Sequence, residues 1–214
     1  MNVKVLALDT CLSACSAAVW EDGRALAAVS EAMSRGHQER LAGLIAEAME
    51  SAGTSFSALD RIGVTVGPGS FTGLRVGLAF AKGLALALDA PCIGVGTLEA
   101  LAEAGAGLSV ACIDARRGQV YLQAFVDGRA VMAPDVLAAE TAAARLAELW
   151  SGGPVVVSGS GAPLVAGVLP HARIEPEAVP DPLVVARLAA GARPPFAPPR
   201  PLYLRAPDAR PSAP

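Results

Sequence analysis

Aromatic residues make up only 4% of the chain, histidine occurs twice, and no pair of cysteines has C-x-x-C spacing. Each shortage narrows the function. So few rings argue against a base-stacking platform for single-stranded nucleic acid. Two histidines and unpaired cysteines leave no ligand set for a zinc or redox centre. Charged residues reach only 17% and the net charge is −3, so no global field draws nucleic acid to the surface. If the protein serves RNA chemistry, something else holds the RNA. Cys11, Cys15, Cys92 and Cys112 lie in apolar surroundings and read as small, buried, reduced thiols. The N-terminal MNVKVLALDT runs into a strand pattern rather than a signal peptide. The most apolar run, Val76 to Leu88, is interrupted by Lys82 and reads as too short for a bilayer. A soluble cytoplasmic protein with no membrane contact is expected.

What is present is apolar surface: 53% of 214 residues are hydrophobic, enough for one large domain or two small ones. Val3–Asp9 reads as a buried strand, followed by a hairpin around Glu21-Asp22-Gly23. His37–Ser51 is an amphipathic helix whose Leu41, Leu44, Ile45, Ala48 and Met49 share one face. A strand over Arg61–Val66, a long apolar helix over Thr72–Leu88, a strand over Pro91–Val95 and a short helix over Thr97–Glu103 follow. The pattern then restarts with a strand at Ser109–Asp114, a hairpin around Asp127-Gly128, a helix at Glu140–Trp150 and a strand at Val155–Ser158. A short helix at Leu164–Leu169 and a helix from Asp181-Pro182 to Ala190 complete it. Asp9, Asp22, Gly23 and Arg24 recur 105 residues later as Asp114, Asp127, Gly128 and Arg129. The expectation is α/β architecture in two similar lobes, residues 1–104 and 105–192. A Pro-rich tail, 193–214, carries one apolar anchor, Leu202-Tyr203-Leu204.

The stretch VGPGSFTGLRVG, from Val66 to Gly77, sets a glycine-rich turn between a strand and a helix. Such turns often cradle phosphate. Neither the Walker spacing nor G-x-G-x-x-G is met, because Thr72 stands where the third glycine of the second motif belongs. A bare anion site stays open. The alternative is close helix packing, since Gly69, Gly73, Gly77, Ala81 and Ala85 recur every four residues and so share one face. Ala79, Gly83 and Ala87 form a second small-residue row beside a ridge of Val76, Phe80, Leu84 and Leu88.

Asp9 and Asp114 each end a buried strand before a turn. Facing each other across a cleft they would suit a nucleotide phosphate with a divalent cation. Thr10 and Gly118 sit in the same two turns, and Gly159 and Gly161 in a glycine turn that could admit adenine and ribose. The competing reading is that these residues cap turns and bind nothing. His37 and His171 are not at ligand spacing, and Ser70 and Thr72 lack an evident general base.

The segment TVGPGSFTGLRVGLAFAKGLA, continuing to PCIGVGTLEAL, resembles the TsaB (YeaZ) family. So do VLALDTCLSACSAAV, HQERLAGLI, IDARRGQVY and the terminal PLYLR, a likeness running from about residue 3 to 205. The resemblance implies an actin-like fold of the sugar-kinase and Hsp70 type, with two ribonuclease-H-like lobes. It also implies a non-catalytic subunit partnering the transferase TsaD and the ATPase TsaE. TsaD adds threonylcarbamoyl to the adenosine 3′ of the anticodon in tRNAs reading codons that begin with A. A homodimer is implied when TsaD is absent, and contact with tRNA only through the complex. The catalytic paralogues carry a metal-binding His-x-x-x-His where this chain has Thr97 and Leu101. The interface is expected on the two long helices, from Leu41, Leu44, Ile45, Ala48 and Met49 on the first and Val76, Gly77, Phe80, Ala81 and Leu84 on the second. No tightly bound cofactor is implied; ATP or ADP with Mg²⁺ at the lobe cleft or the subunit interface stays open. A free-standing actin-like ATPase or kinase is the alternative, and a metallopeptidase is opposed by Thr97 and Leu101.

Overall fold

Val5, Leu6, Ala7 and Leu8 are apolar without alternation, as a strand covered on both faces must be. They lie fully buried in β1 (Lys4–Asp9), the middle strand of its sheet. The computed structural model describes residues 3–102, 107–176 and 178–205. After β1 come the antiparallel strands β2 (Ala14–Glu21) and β3 (Arg24–Ala32), helix α1 (His37–Ser51), strand β4 (Arg61–Thr65), helix α2 (Phe71–Leu88), strand β5 (Cys92–Val95) and helix α3 (Thr97–Leu101). The second half runs β6 (Leu108–Arg116), β7 (Gln119–Val126), β8 (Arg129–Ala130), β9 (Asp135–Ala138), α4 (Ala139–Leu149), β10 (Val155–Ser158), α5 (Ala162–Val165), β11 (Arg173–Glu175) and α6 (Pro182–Gly191).

The expected duplication is present in the topology. The first sheet has the order β3-β2-β1-β4-β5 and the second β8-β7-β6-β10-β11, with β9 added beside β7. The 105-residue register is structural too. Asp22-Gly23 and Asp127-Gly128 both take left-handed backbone, with φ of 46° and 85° in one hairpin and 50° and 74° in the other. Two consecutive positive φ values define the two-residue turn whose twist suits a hairpin. Asp9 Oδ1 accepts from the Cys11 backbone N–H, and Asp114 Oδ1 from that of Arg116, the same i to i+2 contact.

One boundary needs correction. Helix α6, assigned to the second lobe by the 105–192 division, packs on the first sheet: Val185, Ala186 and Ala189 are buried with Val5, Ala7, Ile93 and Val95. Helix α3 makes the reciprocal crossing, its Leu98 and Leu101 packing with Ala111 and Ile113 of β6. Each sheet is thus covered on one face by its own helices, α1 and α2 or α4 and α5, and on the other by the last helix of the opposite half. The tail also returns to the first lobe, where Leu202 N–H donates to Val66 O at 2.7 Å. The 104/105 boundary, the α3 end at Glu103 and the tail beyond Arg205 lie outside the described residues.

Helix α2 is longer than the apolar run from Val76 suggests. Its 18 residues, with mean hydropathy 1.4, meet the length and composition of a membrane span. Gly73, Leu74, Gly77, Leu78, Ala81 and Ala85 on one face are nevertheless buried in the core of the first lobe.

Candidate functional site

The glycine loop is filled by the protein itself. A β-carbon at Gly73 would overlap the Thr10 carbonyl oxygen, and one at Gly69 the Cys11 carbonyl oxygen; at Gly77 it would lie 2.5 Å from Thr10 Oγ1. Ser70 N–H donates to Cys11 O at 2.7 Å, and Thr10 Oγ1 donates to Gly73 O at 2.7 Å. The four-residue glycine row therefore lets α2 press directly on the turn after β1. The Ser70 N–H that could have held an anion is spent on that turn. Close packing, one of the two readings left open, is what the glycine row serves here.

This packing seals Asp9 and Thr10. Asp9 is fully buried; its Oδ1 accepts from Thr65 Oγ1 and Cys11 N–H, and its Oδ2 has no partner among the described residues. Ser16, opposite Asp9 in the β1–β2 register, and His37, 7% exposed, bring two further unpartnered atoms, Oγ and Nε2. Burial pushes the Asp9 carboxyl up to about 6, opposed by the bonds from Thr65 and Cys11 and by His37. Burial likewise pushes the Cys11 and Cys112 thiols up to about 12, which keeps them protonated and unreactive for as long as they stay buried. All four cysteines are free.

Of the expected nucleotide residues, the cleft between the lobes receives Asp114 alone. A 450 Å³ cavity there is lined by Ser13, Ser70, Asp114, Arg116, Tyr121, Ser160 and Arg205, with Cys11 at its edge. Asp9 and Thr10 lie beneath the glycine loop, and Gly118 is exposed at the β6–β7 turn. Gly159 and Gly161 serve packing: a β-carbon at Gly159 would overlap Cys112 O, and one at Gly161 would lie 2.8 Å from Cys112 Sγ. None of these five positions lines the cleft: Asp9 and Thr10 are buried, Gly118 lies outside it, and Gly159 and Gly161 pack against Cys112. Asp114 is itself engaged, accepting from Arg116 N–H at 2.7 Å and pairing with the Arg116 guanidinium at 3.3 Å. Its own N–H donates to Ser160 Oγ at 3.1 Å. The cleft thus offers hydroxyls and guanidinium groups to an anion. The one carboxylate of its described lining is Asp114. Sequence reasoning missed Arg205, Tyr121, Ser70 and Ser160 as cleft residues. Only the matching glycine turns at Gly69 and Gly159 hinted at the two serines.

Thr97 and Leu101 are turned to structural use. Thr97 is fully buried and its Oγ1 accepts from Gly67 N–H at 3.1 Å, while Leu101 packs on β6. No group of three or more metal-ligating side chains occurs among the described residues.

The interface residues divide sharply. Leu41, Leu44, Ile45, Ala48 and Met49 face the core of the first lobe, as do Gly77 and Ala81, so these seven cannot meet a partner on the folded surface. Val76, Phe80 and Leu84 are half-buried. What α2 shows to solvent is Phe71 (51% exposed), Thr72, Arg75, Ala79, Lys82, Gly83, Leu86 (85%) and Ala87. Periodicity gave both faces of α2 an apolar stripe, and only the packing tells them apart.

The repeated five-strand order around one cleft defines the actin-like class, two ribonuclease-H-like lobes placed face to face. A family model described as TsaD, tRNA N6-adenosine threonylcarbamoyltransferase, matches residues 28–158. An Escherichia coli K12 relative described as tRNA threonylcarbamoyladenosine biosynthesis protein TsaB is 40% identical over 124 residues, 56% of this chain and 53% of its own. The match thus spans about half the length of that relative. The crystal structure described as YeaZ from Pseudomonas aeruginosa is 31% identical with a TM-score of 0.79, covering 94% of this chain and all of that one. A second structure, described as an uncharacterized protein with similarity to peptidase YeaZ from Pseudomonas aeruginosa, is 33% identical with a TM-score of 0.83, over 95% of this chain and 100% of its own. The chain belongs to the TsaB (YeaZ) family.

Proposed function

We propose that this chain is a non-catalytic subunit in the synthesis of threonylcarbamoyladenosine in tRNA, working beside a TsaD-like transferase and a TsaE-like ATPase. The observation that carries this reading is the use made of Thr97 and Leu101. Where the resemblance places a metal-binding histidine pair, one side chain locks the Gly67 turn and the other fills the core. Two imidazoles one helical turn apart can hold a metal; a threonine and a leucine cannot. The chain supports the transfer without performing it, and tRNA is held elsewhere in the assembly, in keeping with a net charge of −3.

The partner surface in this reading is the outward strip of α2, centred on Leu86 and Phe71, and a second copy of the chain occupies it when the transferase is absent. Leu86→Arg is expected to weaken complex formation with a TsaD-like transferase at least tenfold in gel filtration or calorimetry, with an unchanged thermal midpoint. Leu44→Arg, in contrast, puts an unpaired charge into the core and is expected to unfold the protein. A folded Leu86→Arg protein that binds the transferase normally would remove α2 from the interface.

ATP or ADP with Mg²⁺, in the cleft or at the subunit contact, is an accessory ligand in this reading. Asp114, Arg116 and Ser160 are the cleft groups that would meet it. Tight nucleotide binding by the isolated chain in calorimetry would favour a free-standing ATPase or kinase instead.

A further inference from the structure

The polypeptide after α6 has no helix or strand of its own among the described residues, yet it is held at successive points along the first lobe. It then crosses to the second. Arg61 of β4 begins the series. Its Nη1 donates to the carbonyl oxygens of Ala189, Ala190 and Ala192 at 2.9, 2.7 and 2.9 Å, and its guanidinium lies 5.0 Å above the Phe196 ring. Pro199 rests on Gly94 of β5, where a β-carbon would come within 3.0 Å of it. Leu202 N–H donates to Val66 O at 2.7 Å, and the Tyr203 ring stands 5.6 Å from Phe71 at the start of α2. Two residues later Arg205 Nη1 donates to Ala115 O at 2.6 Å, on β6 of the second lobe. Arg205 also lines the interlobe cleft, in company with Asp114 and Ser70.

Leu202 and Arg205 are anchored to different lobes and are three residues apart. Such a stretch reaches about 10 Å when fully extended, so the lobes cannot part far while both hold. Proline at positions 194, 195, 198, 199 and 201 limits the conformations of the free segment, which lowers the entropy lost on laying it down. We infer that residues 193–205 form a strap that latches the interlobe cleft, Leu202 fastening it to the first lobe and Arg205 to the second. Exchange of whatever enters the cleft then requires Arg205 to let go.

Two native thiols report on the two ends of the strap. Cys11 borders the cleft, and Cys92 borders a separate pocket with Phe196 and Pro199. Cys11 is fully buried, so N-ethylmaleimide reaches it only through opening. In the full chain, with labelling resolved by peptide mass spectrometry, Arg205→Ala is expected to speed Cys11 modification at least tenfold. Cys15 and Cys92 should keep their rates. Leu202→Pro, which removes the N–H given to Val66, should act in the same direction, and Arg205→Lys, which keeps a donor, should restore part of the protection. An unchanged Cys11 rate in both folded variants would overturn the strap. So would an equal rise at every cysteine, since that is the mark of general loosening.

Discussion

Replacing Gly73 by alanine is expected to cost about 3 kcal/mol or more of folding stability, whereas Gly83→Ala in the same helix should gain about 0.5–1 kcal/mol. Gly73 lies in the first turn of α2 and Gly83 in its interior, and the contrast comes chiefly from what faces them. A β-carbon at Gly73 meets the Thr10 carbonyl oxygen, a main-chain atom of the buried turn directly after β1 that cannot swing aside as a side chain can. The overlap can be relieved only by moving α2 off the sheet. That would also break the Thr10 to Gly73 and Ser70 to Cys11 hydrogen bonds. Gly83 has nothing within 4 Å of an added β-carbon and faces outward, so alanine there removes backbone freedom from the unfolded chain without a clash. Urea or thermal denaturation of the two variants measures the difference. At roughly 2–4 °C per kcal/mol for a chain of this size, the midpoints should separate by about 7 °C or more. Equal midpoints would mean that the glycine row does not serve close approach.

Stability should also rise as the solution is acidified from pH 8 to pH 5, because of Asp9. Its carboxyl is raised from 3.8 to about 6 by burial. The folded protein therefore binds this proton more tightly than the unfolded chain, and the stabilisation is complete below about pH 4 and lost as pH rises through 6. At about 1.4 kcal/mol per pKa unit the full span is about 3 kcal/mol, of which about 1.4 kcal/mol falls between pH 8 and pH 5. Asp9→Asn removes the titrating group while keeping an acceptor for Thr65 Oγ1 and Cys11 N–H. Denaturant melts at pH 5, 6, 7 and 8 should show a pH slope in the parent that the variant lacks. Parallel curves for the two proteins would place the titration elsewhere. A phosphate- or metal-binding Asp9 would need an opening to solvent, and this one is fully buried beneath the glycine loop.

Asp9 and Asp114 mark where the sequence stops being informative. Their strands, their following turns and their spacing to an Asp-Gly hairpin are alike, and periodicity and turn chemistry therefore find the duplication. Helix α1 was legible to the residue because its apolar positions keep one face, and the N-cap of α6 because Asp181 precedes Pro182 and accepts from Leu183 N–H. What distinguishes the two aspartates is nonlocal. The glycine loop lies over Asp9, while the Asp114 carboxylate stays partly open to the cleft. The same holds for α6, whose apolar face suits either sheet and whose destination is set by the other half of the chain. Strand β9 escaped notice because four residues of Asp-Val-Leu-Ala leading into a helix carry no periodicity. The cleft residue Arg205 was hidden for a like reason, since a proline-rich tail contains no signal for where it will lie.

Functional legibility came from two positions. Thr97 and Leu101 are unremarkable as amino acids and matter only against the histidine pair that the resemblance places there. The most direct test is reconstitution of threonylcarbamoylation from a TsaD-like transferase, a TsaE-like ATPase, substrate tRNA and this chain, with modified adenosine quantified by mass spectrometry. Modification should require the chain, fall with Leu86→Arg, and remain absent when the chain and tRNA are supplied without the transferase. Full modification without this chain, or any modification by it alone, would contradict a supporting, non-catalytic role.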